Sequence, residues 1–190
     1  MSGADQTTAR LAIVTGVVAL ASFASLFIFF AVGGVFGPLN DAGNGLTGIL
    51  AAALAWRLGG GVAGRAGVWL AVAGGLVTAI GSALILSGTT GFFLAGLVSS
   101  TGFGLVGAWL VAFSRGPATV GWPRSMAALG TIAGALMLVG LVTAPGIAMG
   151  FDDMEAAPGW IWIGFVGWLG AFIAFPAWAI WAGRSTLSGE

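Results

Sequence analysis

Long apolar runs dominate this 190-residue chain, and six of them approach the length of a membrane-crossing helix. A crossing needs about 20 apolar residues, each rising about 1.5 Å, to cover about 30 Å of hydrocarbon. Runs of that length leave little choice of secondary structure. An unpaired backbone group is costly in lipid, so each run must close its hydrogen bonds within itself, as an α-helix does. Only 6% of the residues are charged, against about 25% in soluble proteins. The expected fold class is an all-α polytopic membrane protein, a six-transmembrane-helix bundle forming a single membrane domain over 1–190.

The helices are expected at about 11–34, 38–58, 66–87, 91–113, 124–146 and 158–183. The first run continues past Ala21-Ser22-Phe23-Ala24, so it reads as a retained helix and not as a secretory signal. The second is the hard case, because Leu46 to Leu58 alone spans only about 13 residues. Starting it at Pro38, whose missing N–H costs nothing in a first turn, brings it to about 21. Asn40, Asp41 and Asn44 then lie in its first turns.

All the basic residues are arginines: Arg10, Arg57, Arg65, Arg115, Arg124 and Arg184. They fall at the chain ends and in the gaps after the second and fourth helices. The alternate gaps hold Asp41, Asp152, Asp153 and Glu155, with no basic residue. Cytoplasmic segments are the ones enriched in Lys and Arg, so both termini are expected in the cytoplasm, with the chain in the plasma or inner membrane. Trp56, Arg57, Trp122, Arg124, Trp181 and Arg184 near the inner ends read as lipid-interface anchors, with membrane lipids as partners. Trp178 joins that inner belt, and Trp160 and Trp162 form an outer one.

Small residues indicate how the helices pack. Gly67, Ala71, Gly75, Ala79 and Ala83 recur at four-residue spacing in the third helix. Gly96, Ser100, Gly104 and Ala108 do so in the fourth, and Gly130 and Gly134 in the fifth. Such ladders let backbones approach where lipid is as apolar as Leu. They either hold the bundle together or serve a homo-oligomer through a small-residue face. In the last helix Trp162, Phe165, Trp168, Phe172 and Phe175 form one stripe, expected to meet lipid, while Gly164, Gly167, Ala171 and Ala174 pack inward. The other reading of that stripe is an aromatic groove for a flat or acyl ligand. Pro176 removes the usual partner of the Phe172 carbonyl, so a kink is expected.

Composition excludes much chemistry. The chain has no Cys, His, Tyr or Lys, which removes thiolate and Schiff-base catalysis and the commonest metal ligand. No cofactor and no metal is expected, and no enzymatic activity. With zero net charge and no basic tract, nucleic acid is not a partner. Ionisable groups inside a membrane are the usual functional signal. The nearest is Asp41, placed by its distance from Arg57, about 24 Å along a helix, near the outer boundary of the hydrocarbon. Asn40, Asp41, Asn44 and Thr47 make the one polar cluster projecting from a span. They either satisfy the free N–H groups of a helix start or form an outward-facing site for a cation or polar ligand. Ser99 and Ser100, with Thr101, Thr78 and Ser82, form a second polar patch; its hydroxyls bond to their own or adjoining helices or line a polar path. Asp152, Asp153 and Glu155 match no calcium-loop spacing and read as a solvated loop.

Phe36-Gly37-Pro38-Leu39-Asn40-Asp41, Gly102-Phe103-Gly104-Leu105-Val106-Gly107 and the ending from Phe175 to Arg184 resemble a set of uncharacterised bacterial multi-pass membrane proteins. That family is described only as a domain of unknown function. The resemblance implies a multi-pass fold over most of the chain and no activity, ligand or catalytic residue. The expected function is non-enzymatic: a small-molecule or lipid binding or transport protein, with Asn40, Asp41, Asn44, Ser99 and Ser100 as ligand-binding candidates. The alternative is a structural or partner-binding membrane subunit without its own ligand.

Overall fold

Each apolar run is helical in the computed structural model, which describes residues 3–59, 61–116, 119 and 122–188, the side chains of 3, 4 and 61–64 excepted. Four uninterrupted helices come first: α1 (Gly3–Val32), α2 (Phe36–Leu58), α3 (Gly61–Leu86) and α4 (Phe92–Ser114). A fifth rod follows, made of α5 (Arg124–Leu138), a 3₁₀ segment (Val139–Thr143) and α6 (Ala144–Ala148). The sixth joins α7 (Ile161–Gly164), α8 (Val166–Leu169), a π-helical turn (Gly170–Ala174) and α9 (Phe175–Ser188). The α1–α2 turn is tight because Gly33 and Gly34 both take positive φ, +71° and +67°, a conformation that glycine adopts without steric cost.

Neighbouring rods run antiparallel, and the sixth returns to the first, so they close into a ring. Glycines make the crossings. A Cβ on Gly43 would strike Ser22 of α1, and one on Gly48 would strike Thr78 of α3. One on Gly74 would meet the Gly102 carbonyl at 2.5 Å, and one on Gly107 the Gly134 carbonyl at 2.6 Å. Gly140 and Gly167 bring the fifth and sixth rods together, and Gly16 fits α1 against Pro176 and Ile180 of α9. These glycine crossings are thus filled by helices of the same chain. Close backbone approach supplies the packing contact that hydrophobicity cannot supply in lipid.

Antiparallel order sorts the charges. Arg10, Arg57, Arg65, Arg115, Arg124 and Arg184 lie at one end of the ring, with the start of α1 and the end of α9. Asp41, Asp152, Asp153 and Glu155 lie toward the other. The outside of the ring is apolar: Phe27, Phe30, Trp56 and Trp69 are each more than 60% exposed. A patch that large does not face water in a soluble monomer. Five of the rods, Asp5–Val32, Arg65–Leu86, Phe92–Ser114, Arg124–Ala148 and Ile161–Ser188, are long and apolar enough to cross a membrane. The chain is therefore a multi-pass, all-helical membrane protein. The remaining helix, α2, has 23 residues but carries Asn40, Asp41 and Asn44, which lower its hydropathy.

Three expectations need correction. The fifth rod is not one continuous helix over 124–146. A 3₁₀ segment before Pro145 ends one helix and starts another, placing that proline in the first turn of α6, where no N–H is needed. The aromatic stripe of the sixth rod does not face lipid as a unit. Phe172 and Phe175 are buried, and Trp168 is half-buried, while Trp162 stays exposed. Just ahead of Pro176, the Phe175 N–H bonds to the Gly170 carbonyl, five residues back. This wide turn shifts the helix register and carries the lower stripe inward. Finally, Trp178 is fully buried. It packs against Trp109, Phe113, Trp122 and Phe175 in an aromatic cluster toward the arginine end, and is no interfacial anchor.

Candidate functional site: a polar cavity near the acidic end

Asn40 and Asn44 do not cap α2. The helix begins at Phe36, four residues earlier than Asn40, and its start has no side-chain cap. Both amides instead turn to α1, because residues four apart share a helix face. Asn40 Nδ2 donates to the Ser22 carbonyl at 2.9 Å and to the Ser22 hydroxyl at 3.2 Å. Ser22 Oγ lies 2.9 Å from the Asn40 carbonyl and 2.8 Å from Asn44 Oδ1; its single proton serves one of them at a time. Asn44 Nδ2 donates to Asn40 Oδ1 at 3.3 Å. Asn40, 2% exposed, is satisfied by this clamp. Thr47, on the same face, donates back to the Gly43 carbonyl at 2.8 Å and stays out of the site.

Asp41 sits one residue round the helix and takes no part in the clamp. No hydrogen bond or ion pair to its carboxylate forms among the described residues. It borders a cavity of about 30 Å³ enclosed by α1 to α4 and the sixth rod. A water needs roughly 10–15 Å³ in this measure, so the space holds a group the size of one or two waters. Asn40, Asp41, Asn44, Ser82 and Ser99 form its polar wall, and Phe92, Phe103, Trp168 and Phe172 are among its apolar lining. The Ser82 hydroxyl is buried in the wall with no hydrogen-bond partner, on a residue 6% exposed. Buried hydroxyls are normally paired. This one therefore marks a place where a polar partner is expected.

The helix-four patch splits by direction. Ser99 borders the cavity. Ser100 is buried and accepts a hydrogen bond from Trp168 Nε1 at 2.9 Å, tying α4 to the sixth rod. Thr101 pairs with Thr143 of the fifth rod at 3.0 Å. Thr78 bonds back to the Gly74 carbonyl at 3.0 Å. Of the patch, Ser82 and Ser99 reach the cavity, and Ser100 acts by holding Trp168 in its wall.

Two contributions escaped sequence reasoning. Ser22 enters the sequence reading only as part of Ala21-Ser22-Phe23-Ala24; the antiparallel α1–α2 pairing places it opposite Asn40. Asp152 looked like part of a solvated loop. Its carboxylate accepts the Gly91 N–H at 2.5 Å and the Leu94 N–H at 3.0 Å, so it caps α4 from 58 or more residues away. One acid among three in a loop and a glycine at a helix start carry no signal linking them. Trp56 and Arg57 are exposed toward the arginine end, as are Arg124, Trp181 and Arg184, whereas Trp122 is half-buried against Phe113.

Beside the cavity lies a second space of about 230 Å³, lined by Phe30, Phe92, Phe93, Met154, Phe165 and Trp168 among others, with no polar surface. The two spaces share Phe92, Gly96 and Trp168. No protein-family model, curated protein or solved structure matches this chain.

Proposed function

We propose that this protein binds, and passes across or along the membrane, a small polar molecule held in the Asp41 cavity. The observation that carries the reading is a half-buried carboxylate on the wall of a cavity between the helices, with an unpartnered buried hydroxyl in the same wall. Unpaired polar groups at that depth are costly, and a ligand that pairs with them offsets the cost. The action is binding and not catalysis. Asp41 is the one ionisable residue on the cavity wall, and a general acid–base or nucleophilic mechanism needs a second group to activate or relay.

In this reading α2 is a sixth span. It packs between α1 and α3 along its length, and its ends lie at opposite ends of the ring. The arginine end then lies in the cytoplasm by the positive-inside rule, both termini with it, and the cavity opens toward the outer half of the plasma or inner membrane. A structural subunit without a ligand is the competing reading, favoured by the tightly filled glycine seams.

Native mass spectrometry of the full chain released from its own membrane tests the two. The binding reading expects a retained small molecule that Asp41→Asn loses while its helical circular dichroism and its elution as a folded species are unchanged. A bare protein mass for the natural chain, or a ligand that Asp41→Asn keeps, contradicts it.

A further inference from the structure

Four glycines lie in α4, and three have an evident packing reason. A Cβ on Gly102 would sit 2.6 Å from the Gly74 carbonyl, one on Gly104 2.8 Å from Leu141, and one on Gly107 2.6 Å from the Gly134 carbonyl. Gly96 differs. A Cβ there would meet only Trp168, at 4.0 Å, which is ordinary contact. No neighbouring helix requires glycine at this position, so the ladder that includes it is not a packing ladder at this rung. What lies beside Gly96 is open space on both sides: it borders the polar cavity and the apolar groove alike.

From this juxtaposition we infer that Gly96 is the threshold of one continuous site, whose ligand is a short-chain primary ammonium with its head at Asp41 and its alkyl or aryl chain in the Phe30–Phe92–Met154–Phe165 groove. This rests on the binding reading above and names its ligand class. Three features select the class. Asp41 is the sole charge lining either space and it is anionic, so the head is a cation. The polar cavity admits a group the size of one or two waters, which fits an ammonium and excludes a bulky headgroup. Ser99 on the wall and Ser82 buried within it carry hydroxyl oxygens that can accept from an ammonium's N–H donors, and Phe92, Phe103 and Trp168 on the same wall are aromatic side chains of the kind that attract cations. The groove offers no polar partner and therefore takes a hydrocarbon. At about 230 Å³ it falls below the roughly 300–1,000 Å³ of drug-sized pockets, so the chain is short.

The test uses the full protein in phosphatidylcholine nanodiscs, with equilibrium dialysis of labelled hexylammonium, hexanol and methylammonium against protein-free nanodiscs. Hexylammonium is expected to bind at least about tenfold tighter than either of the others, since each lacks one half of the recognition. Gly96→Leu should plug the threshold and weaken hexylammonium at least about tenfold while leaving methylammonium unchanged; Gly96→Ala, whose methyl has room, should bind as the natural protein does. Phe30→Ala, on an exposed groove wall, repeats the test without risk to the core and should weaken hexylammonium alone. If methylammonium binds as tightly as hexylammonium, or folded Gly96→Leu binds hexylammonium normally, the joined site is wrong and the polar cavity alone survives. Hexanol binding equal to hexylammonium removes the cationic head. Failure of all three probes overturns this ligand class, and a retained molecule in the native mass spectrum then decides separately whether the cavity binds anything.

Discussion

Removing Asn40 should loosen the α1–α2 pair by an amount that can be worked out from the clamp. Asn40→Ala deletes two hydrogen bonds donated to Ser22, at 2.9 and 3.2 Å, and strips Asn44 Nδ2 of its acceptor. Interhelical bonds of this kind in membranes average about 0.6 kcal/mol and reach about 1.7. Two of them give about 1–2 kcal/mol of expected destabilisation. The modest figure reflects the unfolded reference, in which polar groups within a membrane find other partners. Ser22→Ala removes the hydroxyl that accepts one of those bonds and donates to Asn40 or Asn44. Its effect should overlap with that of Asn40→Ala. In a double-mutant cycle of reversible unfolding in bicelles, the pair should couple by about 0.6–1.7 kcal/mol. Additivity within about 0.3 kcal/mol would show that the two side chains do not meet, and the antiparallel register that brings Asp41 to the cavity would fall with it.

Other consequences are as specific. Gly102→Ala should be poorly tolerated, because its methyl would lie 2.6 Å from both the Gly74 carbonyl and the Thr78 nitrogen. Overpacking of that kind costs about 1–3 kcal/mol, read as a lowered unfolding midpoint, whereas Gly96→Ala on the same helix should leave the midpoint unchanged. Asp152→Ala should free the first turn of α4, so amide exchange at Gly91 and Leu94 should quicken several-fold while the middle of α4 stays protected. Trp168→Phe removes the indole bond to Ser100 at 2.9 Å and should cost about 1 kcal/mol, with Ser100→Ala non-additive to it in the same unfolding assay.

The helices were legible because lipid demands long apolar runs: the sequence-based boundaries at 38–58 and 91–113 lie within two residues of α2 and α4, while α3, expected at 66–87, starts earlier, at Gly61. The inward faces were less legible, for a physical reason. In a soluble protein the apolar face is the buried one. In a membrane protein both lipid and core are apolar, so hydrophobic patterning does not separate them. Phe172 and Phe175 were misplaced on this account, and the π turn ahead of Pro176 shifted the register further. Glycine and polar residues kept their information. The Asn40–Asp41–Asn44 cluster pointed to the site, although its members divide the work: the amides bind α1 and the acid faces the cavity. The ladders at Gly75, Gly104 and Gly134 do mark crossings, while the pattern did not distinguish Gly96, which borders space, from glycines that border backbone. Ser22 and Asp152 were invisible because their partners lie 18 and about 60 residues away.

The central claim is that α2 crosses the membrane and carries Asp41 to the outer side, and the absence of native cysteine makes it directly measurable. Val35→Cys, just before α2 and exposed, and Ala66→Cys, exposed near the start of α3, are treated in intact cells with a membrane-impermeant maleimide. Labelling of Val35→Cys alone, with Ala66→Cys labelled only after the membrane is opened, is the predicted result. Labelling of both from the outside, or of neither until opening, would place the two ends of α2 on one side and remove the sixth span together with the outward-facing site.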